Sequence, residues 1–118
     1  MSMCRPSQVG SRTALSVLFR GLADPTRLAV LECLSTGELR VVDLVKELAL
    51  PQSTVSGHLA CLRDCNLVVG RPAGRQVFYS LAHPECLDLL RSARSLLEAA
   101  APAVEACPTY GTTTEKVL

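Results

Sequence analysis

Hydrophobic positions recur at helical spacing along most of the chain and change to a strand-like pattern only once. The stretch "LADPTRLAVLECL" places Leu28, Leu31 and Leu34 on one face, and Asp24 followed by Pro25 is typical of a helix start. We therefore predict a helix from Pro25 with Asp24 as its N-cap. A shorter apolar pattern over residues 12–22 predicts a helix before it.

Two more helical patterns follow, separated by a short turn. "RVVDLVKELAL" carries Val41, Leu44 and Leu48 on one stripe, and Pro51 opens a helix that runs to about Asn66. This spacing of helix, turn and helix predicts a helix-turn-helix.

The period then changes in "NLVVGRPAGRQVFYSLA", where two runs rich in valine and aromatic residues flank "RPAG". This pattern predicts a β-hairpin with Gly74 in the turn. From Pro84, "PECLDLLRSARSLLEAAAPA" is again helical. The order predicts a mainly α fold with a β-hairpin wing, a winged helix-turn-helix. We divide the chain into an N-terminal arm (1–10), the winged-helix domain (11–101) and a C-terminal tail (102–118).

Charge adds a mild bias toward nucleic acid. The formal net charge is only +1, but residues 51–80 carry Arg63, Arg71 and Arg75 against Asp64. Polar side chains at the start of the third predicted helix suit phosphates and base edges, and the hairpin supplies further donors. The candidate DNA contacts are Ser53, Thr54, Ser56, His58, Arg71, Arg75 and Gln76. The alternative is that the hydroxyls cap the helix and the arginines are solvated.

The N-terminus lacks the apolar core of a signal peptide, and no apolar run approaches the roughly 18 residues of a membrane span. We expect a cytoplasmic protein without a membrane partner. In that reducing compartment the six cysteines suit core filling, metal ligation or redox sensing better than a disulfide framework.

The ordered set "LADPTR", "STVSGHL" and "LVVGRPAGRQVFYSL" resembles the ArsR/SmtB family of metal-responsive winged-helix repressors, over about residues 12–100. The resemblance implies a homodimer joined by its first and last helices, which binds an operator when metal-free and releases it when metal binds. A two-fold dimer implies double-stranded operator DNA with an inverted repeat.

Two metal sites of that family are missing from this sequence. The family's thiolate site before the recognition helix has two cysteines where "ELRVVDL" has Arg40 and Val42. The family's zinc site on the last helix needs ligands where this chain has Leu96 and Ala99.

Cys61 and Cys65 supply an alternative site. At positions i and i+4 of a helix they lie about 40° apart around the axis and about 6 Å apart along it, so both sulfurs can converge on one ion. They also lie about 100° from the centre of the stripe formed by Val55, Leu59 and Leu62. The alternative is that both cysteines are small apolar fillers against a neighbouring helix.

Within the family, "HLACLRDCNLV" together with Cys107 resembles the cadmium- and lead-sensing CmtR type. That type binds its ion through two recognition-helix cysteines and one from the C-terminal tail of the other protomer. The resemblance implies a site of Cys61, Cys65 and Cys107, with Cys4 as a candidate accessory ligand. Cys33 and Cys86 have no partner at ligand spacing, so we expect them to pack.

Thiolates select soft or borderline ions, so we expect Cd(II) or Pb(II), with As(III), Hg(II) and Zn(II) as alternatives. Two other functions use the same thiols: an arsenite-responsive repressor, and a redox switch that needs no metal. His58 lies one turn before Cys61, but the pattern offers no oxyanion site or substrate cleft. We therefore expect neither an enzyme nor a small-molecule substrate.

Overall fold

The computed structural model describes residues 6–109, so Cys4 lies outside the described residues. Five helices and one hairpin follow in the predicted order, which confirms the mainly helical class with a β-hairpin. The elements are α1 (Pro6–Leu22), α2 (Pro25–Leu34), α3 (Val41–Leu48), α4 (Gln52–Asp64), β1 (Val68–Ala73), β2 (Gln76–Leu81) and α5 (Pro84–Glu105).

The chain divides into two compact units, one up to His83 and one from Pro84. The first holds α1 to α4 and the hairpin, and the second holds α5 and the residues that follow it. No helix among residues 6–109 is long and apolar enough to cross a membrane.

Several element ends differ from those predicted. Helix α1 begins at Pro6, inside the predicted arm. A proline is tolerated in the first turn of a helix, so the helix can begin there. The residues that follow Pro6 lack an apolar period, and the sequence pattern therefore did not predict this start. Helix α5 continues to Glu105, two residues past the predicted helical stretch that ended at Ala103. Helix α4 ends two residues early, since Asn66 adopts a left-handed conformation with φ of 62°.

The start of α2 confirms the predicted cap. Asp24 has extended backbone angles, and its carboxylate accepts hydrogen bonds from the amides of Thr26 at 2.8 Å and Arg27 at 3.0 Å. These amide donors, that of Arg27 first, hold the pKa of Asp24 below its ordinary value. The cap satisfies donors that a bare helix end would leave unpaired.

The core of the first unit joins α2, α3, α4 and β1. The predicted apolar stripe of α4 is buried, and the largest fully buried side chains are Leu31, Leu44, Leu59, Leu62, Val30, Val55 and Val68. Strands β1 and β2 pair antiparallel from Val68 opposite Leu81 to Ala73 opposite Gln76. Gly74, at φ 66°, takes the first position of the two-residue turn, as predicted.

Gly70 of β1 and Gly57 of α4 differ in the space around them, so replacing each with alanine should change the free energy of unfolding in opposite directions. A Cβ at Gly70 of β1 would lie 2.8 Å from Val77 Cγ1 and 3.2 Å from Tyr79 Cε1, so we expect Gly70→Ala to destabilise the protein by about 1–3 kcal/mol. Gly57 of α4 has open space around it, so Gly57→Ala should stabilise the protein by up to about 1 kcal/mol. Denaturant unfolding measures both, and equal effects of the two substitutions would contradict the hairpin packing.

Candidate functional site

The N-terminus of α4 presents the polar residues expected to read DNA. Pro51 occupies the N-cap, and no side chain caps the helix. The hydroxyls of Ser53 and Thr54 are therefore not used as caps, contrary to the alternative considered for them. Ser53 is exposed, whereas Thr54 and Ser56 are half-buried.

His58 is held by another helix. Its Nδ1 accepts a hydrogen bond from Arg27 Nε at 3.2 Å, and Arg27 Nη1 donates to the carbonyl of Gly21 at 2.9 Å. Because Nδ1 accepts, the ring carries its proton on Nε2 in this arrangement. The contact fixes α4 against the start of α2, and a base contact by His58 would have to use Nε2.

The turn of the hairpin and the start of α4 share one groove of about 350 Å³. Arg75 is exposed in the turn, next to Gln76. Gln52, directly after Pro51, is also exposed and is a further candidate DNA contact that was not among the predicted ones. A polar side chain at the start of the helix is the sequence signal that could have identified it. The groove is lined by Arg40, Val41, Val42, Val45, Gln52, Arg75, Gln76, Val77 and Tyr79.

The remaining predicted DNA contacts of the hairpin have partners within the protein. Arg71 donates through Nε and Nη2 to both carboxylate oxygens of Glu38. Gln76 Oε1 accepts a hydrogen bond from Arg40 Nη1 at 3.3 Å. Arg75 is the third predicted DNA contact of the hairpin. Within residues 6–109 its side chain has no hydrogen bond or ion pair of the kind that holds Arg71 and Gln76.

Cys61 and Cys65 line one cavity of about 350 Å³ between α1 and α4. The thiol of Cys61 is half-buried and that of Cys65 is exposed, while the core stripe of the same helix is fully buried. A Cβ at Gly21 of α1 would lie 4.0 Å from Cys65 Sγ. The cavity is lined by Ala14, Val17, Leu18, Gly21, Cys61, Leu62, Asp64, Cys65 and Leu67.

The other thiols have different surroundings. Burial, with the carboxylates of Glu47 and Glu32, raises the pKa of Cys33, and burial raises the pKa of Cys86. Both therefore favour the neutral thiol, which is the poorer metal ligand. Cys107 is half-buried in the second unit, where its amide donates to the carbonyl of Val104 at 3.2 Å. Within the described ranges, no three His, Cys, Asp or Glu side chains are grouped as a metal site.

Comparison with known proteins decides the family. Residues 24–69 match the model described as "Bacterial regulatory protein, arsR family". The chain is also 40% identical over 89 residues to a probable mercury resistance operon repressor of Streptomyces lividans, covering 75% of this chain and 71% of that protein. The chain belongs to the ArsR family.

Other ArsR-family relatives agree with this membership. The regulator CmtR of Mycobacterium tuberculosis is 50% identical over 70 residues, which cover 59% of each chain. The crystal structure of M. tuberculosis Rv0081 superposes with a TM-score of 0.73 at 29% identity, covering 84% of this chain and 96% of that one. This ArsR-family protein is therefore a winged-helix transcriptional repressor, as the sequence motifs predicted.

Proposed function

We propose that this ArsR-family repressor senses a soft metal ion through cysteine thiolates. The metal-free homodimer binds double-stranded operator DNA with an inverted repeat. Cd(II) or Pb(II), bound by Cys61, Cys65 and Cys107, releases it. The observation that carries the proposal is that Cys61, in α4, and Cys65, the C-cap residue of α4, line one cavity at the end of the helix whose first turns present the DNA-reading side chains.

The position of the thiols on α4 couples the two sites. Ser53 and Ser56 lie in the first turns of α4, whereas Cys61 and Cys65 lie at its other end, against α1. An ion held by both thiols and by a third ligand outside α4 constrains how that helix sits on α1. A small displacement of α4 changes every contact its first turns make with a major groove.

Thiolate donors decide which ions fit. Two cysteines on one helical turn offer soft sulfur ligands, which favour Cd(II), Pb(II), Hg(II) and As(III) over hard cations. The Streptomyces lividans relative bears the name of a mercury resistance repressor, which supports this class of ion. The ion displaces the thiol protons, so its affinity rises with pH through the range where the thiols ionise.

Exposed apolar side chains support the homodimer. Leu15, Val17 and Phe19 of α1 are each about half exposed, at 49%, 51% and 49%. In α5, Leu96 is 69% exposed. Exposed apolar residues concentrated on the first and last helices fit the dimer contacts that the family resemblance implies.

A direct titration tests the function. Cd(II) or Pb(II), added to the protein on a duplex that it has selected from a random-sequence library, should weaken binding at least about tenfold, which needs only about 1.4 kcal/mol of coupling. Fluorescence anisotropy measures release, and thiolate-to-metal ultraviolet absorption in the same sample reports binding. Parallel titrations with Zn(II), Hg(II) and As(III) test the alternative ions. Release by an oxidant and by none of these ions would favour the redox switch instead.

A further inference from the structure

The middle of the β-hairpin, which forms the wing, is fastened to the segment that leads into α3. Glu38 and Arg71 form a two-pronged ion pair, with Arg71 Nε donating to Oε2 at 3.0 Å and Nη2 donating to Oε1 at 2.8 Å. This fork matches the planar guanidinium to the planar carboxylate, a geometry that lysine cannot reproduce. The bond to Arg71 holds the pKa of Glu38 below its ordinary value, so the pair stays charged at neutral pH.

An aromatic ring adds to this contact. Phe78 lies opposite Arg71 in the register of the hairpin, and the Arg71 guanidinium is 5.2 Å from its ring centroid. The guanidinium of Arg40 is 5.9 Å from the same centroid and is also bound by Asp43 through Nε and Nη2. The ring therefore contacts one cation of the wing and one at the start of α3.

The backbone fixes the same junction. The amide of Leu39 donates to the carbonyl of Tyr79 at 3.0 Å, and the amide of Tyr79 donates back at 2.8 Å. Leu39 lies directly between Glu38 and Arg40, so side-chain and backbone contacts hold one short segment against both strands of the hairpin.

We propose that Arg71 and Glu38 are positioning residues, which set the angle between the wing and the helix-turn-helix so that Arg75 reaches the DNA backbone. A phosphate can bind the Nε and Nη2 edge of Arg71 only by displacing Glu38 from it. Arg75 lies in the exposed turn beyond this junction, and within residues 6–109 no carboxylate occupies its guanidinium in the way that Glu38 occupies that of Arg71. The proposal rests on DNA binding alone and does not depend on which ion the thiols bind.

Affinity for the selected duplex, measured over a range of salt concentrations, tests the assignment. We expect Glu38→Gln to weaken binding roughly threefold to tenfold although it removes a negative charge, because it loosens the wing. Arg71→Lys keeps the charge and loses the fork, so it should weaken binding to a similar extent with an unchanged salt slope. The double variant should be no weaker than either single one. Arg75→Ala is the control, and it should lower the salt slope by about 1.8, the value of two phosphate contacts, one from each protomer of the homodimer.

Three results would contradict a positioning role for Arg71 and Glu38. Tighter binding by Glu38→Gln, or wild-type affinity of Arg71→Lys, would show that Arg71 acts as a plain cation toward DNA and would overturn the proposal. A salt slope lowered by about 1.8 in Arg71→Gln, one phosphate contact per protomer, would do the same. Both side chains are exposed at the surface, at 58% for Arg71 and 37% for Glu38, so thermal melting and dimer mass should match wild type. If a variant differs from wild type in thermal melting or dimer mass, Glu38→Asp takes its place, because aspartate keeps the negative charge on a side chain too short to reach Arg71 in the same way.

Discussion

Cys61→Ser and Cys65→Ser should each abolish metal-induced release from DNA, the largest functional change we expect from any single substitution in this chain. A serine hydroxyl stays protonated at neutral pH and is a hard donor, so it does not replace a thiolate toward Cd(II) or Pb(II). Both side chains are outside the fully buried stripe of α4, and both follow its first turns. Metal-free affinity for DNA should therefore stay within about twofold of wild type, which is well below one tenfold step of 1.4 kcal/mol.

The measurement is anisotropy of the selected duplex with and without Cd(II), together with the thiolate-to-metal absorption of the protein. Cys33→Ser is the matched control, because Cys33 is also half-buried on a helix of the same unit but lies outside the cavity. It should respond to metal like wild type. A full response in Cys65→Ser would contradict the thiol pair, and loss of response in Cys33→Ser would place the site elsewhere.

Local patterns predicted the fold well because they act over a few residues. Asp24 caps α2 through amides two and three positions away, and Gly74 takes a turn conformation that its own backbone allows. The buried stripe of α4 follows from helical period alone. The predicted helical stretch from Pro84 already included Pro102, and α5 ends only two residues beyond that stretch, at Glu105.

Contacts between distant residues could not be predicted in this way. Arg71 and Gln76 look like free DNA contacts in the sequence, yet one pairs with Glu38 and the other with Arg40, both more than thirty positions away. His58 likewise meets Arg27 of another helix. Nothing in the spacing of these residues distinguishes a side chain held inside the protein from one that faces DNA.

The thiol pair lies between these cases. Helical spacing predicted that Cys61 and Cys65 share a face, and both line one cavity, although α4 ends at Asp64 and Cys65 is its C-cap. The apolar wall that α1 supplies, with Gly21 next to Cys65, depends on tertiary packing and has no counterpart in the local pattern. The third ligand is still a prediction, and it needs an experiment that separates one protomer from the other.

Mixed dimers should restore the metal response that their parent proteins lack. Cys107→Ser alone should uncouple metal from DNA, because the helix pair then lacks its third thiolate. The double variant Cys61→Ser/Cys65→Ser should also be unresponsive. If the tail ligand crosses to the other protomer, as in the CmtR type, a heterodimer of these two variants holds one complete set of Cys61, Cys65 and Cys107. A site built within one protomer gains no complete set on mixing.

Differently tagged variants, refolded together and purified by both tags, give the heterodimer for the same anisotropy and absorption measurements. We expect Cd(II) to release it, at about one ion per dimer, because only one of the two sites is complete. The two parent homodimers, carried through the same refolding, are the controls and should stay on DNA. A silent heterodimer beside unresponsive parents would place the tail ligand in its own protomer. Wild-type sensitivity of the Cys107→Ser homodimer would remove Cys107 from the site, and the third ligand to the helix pair would then be another residue.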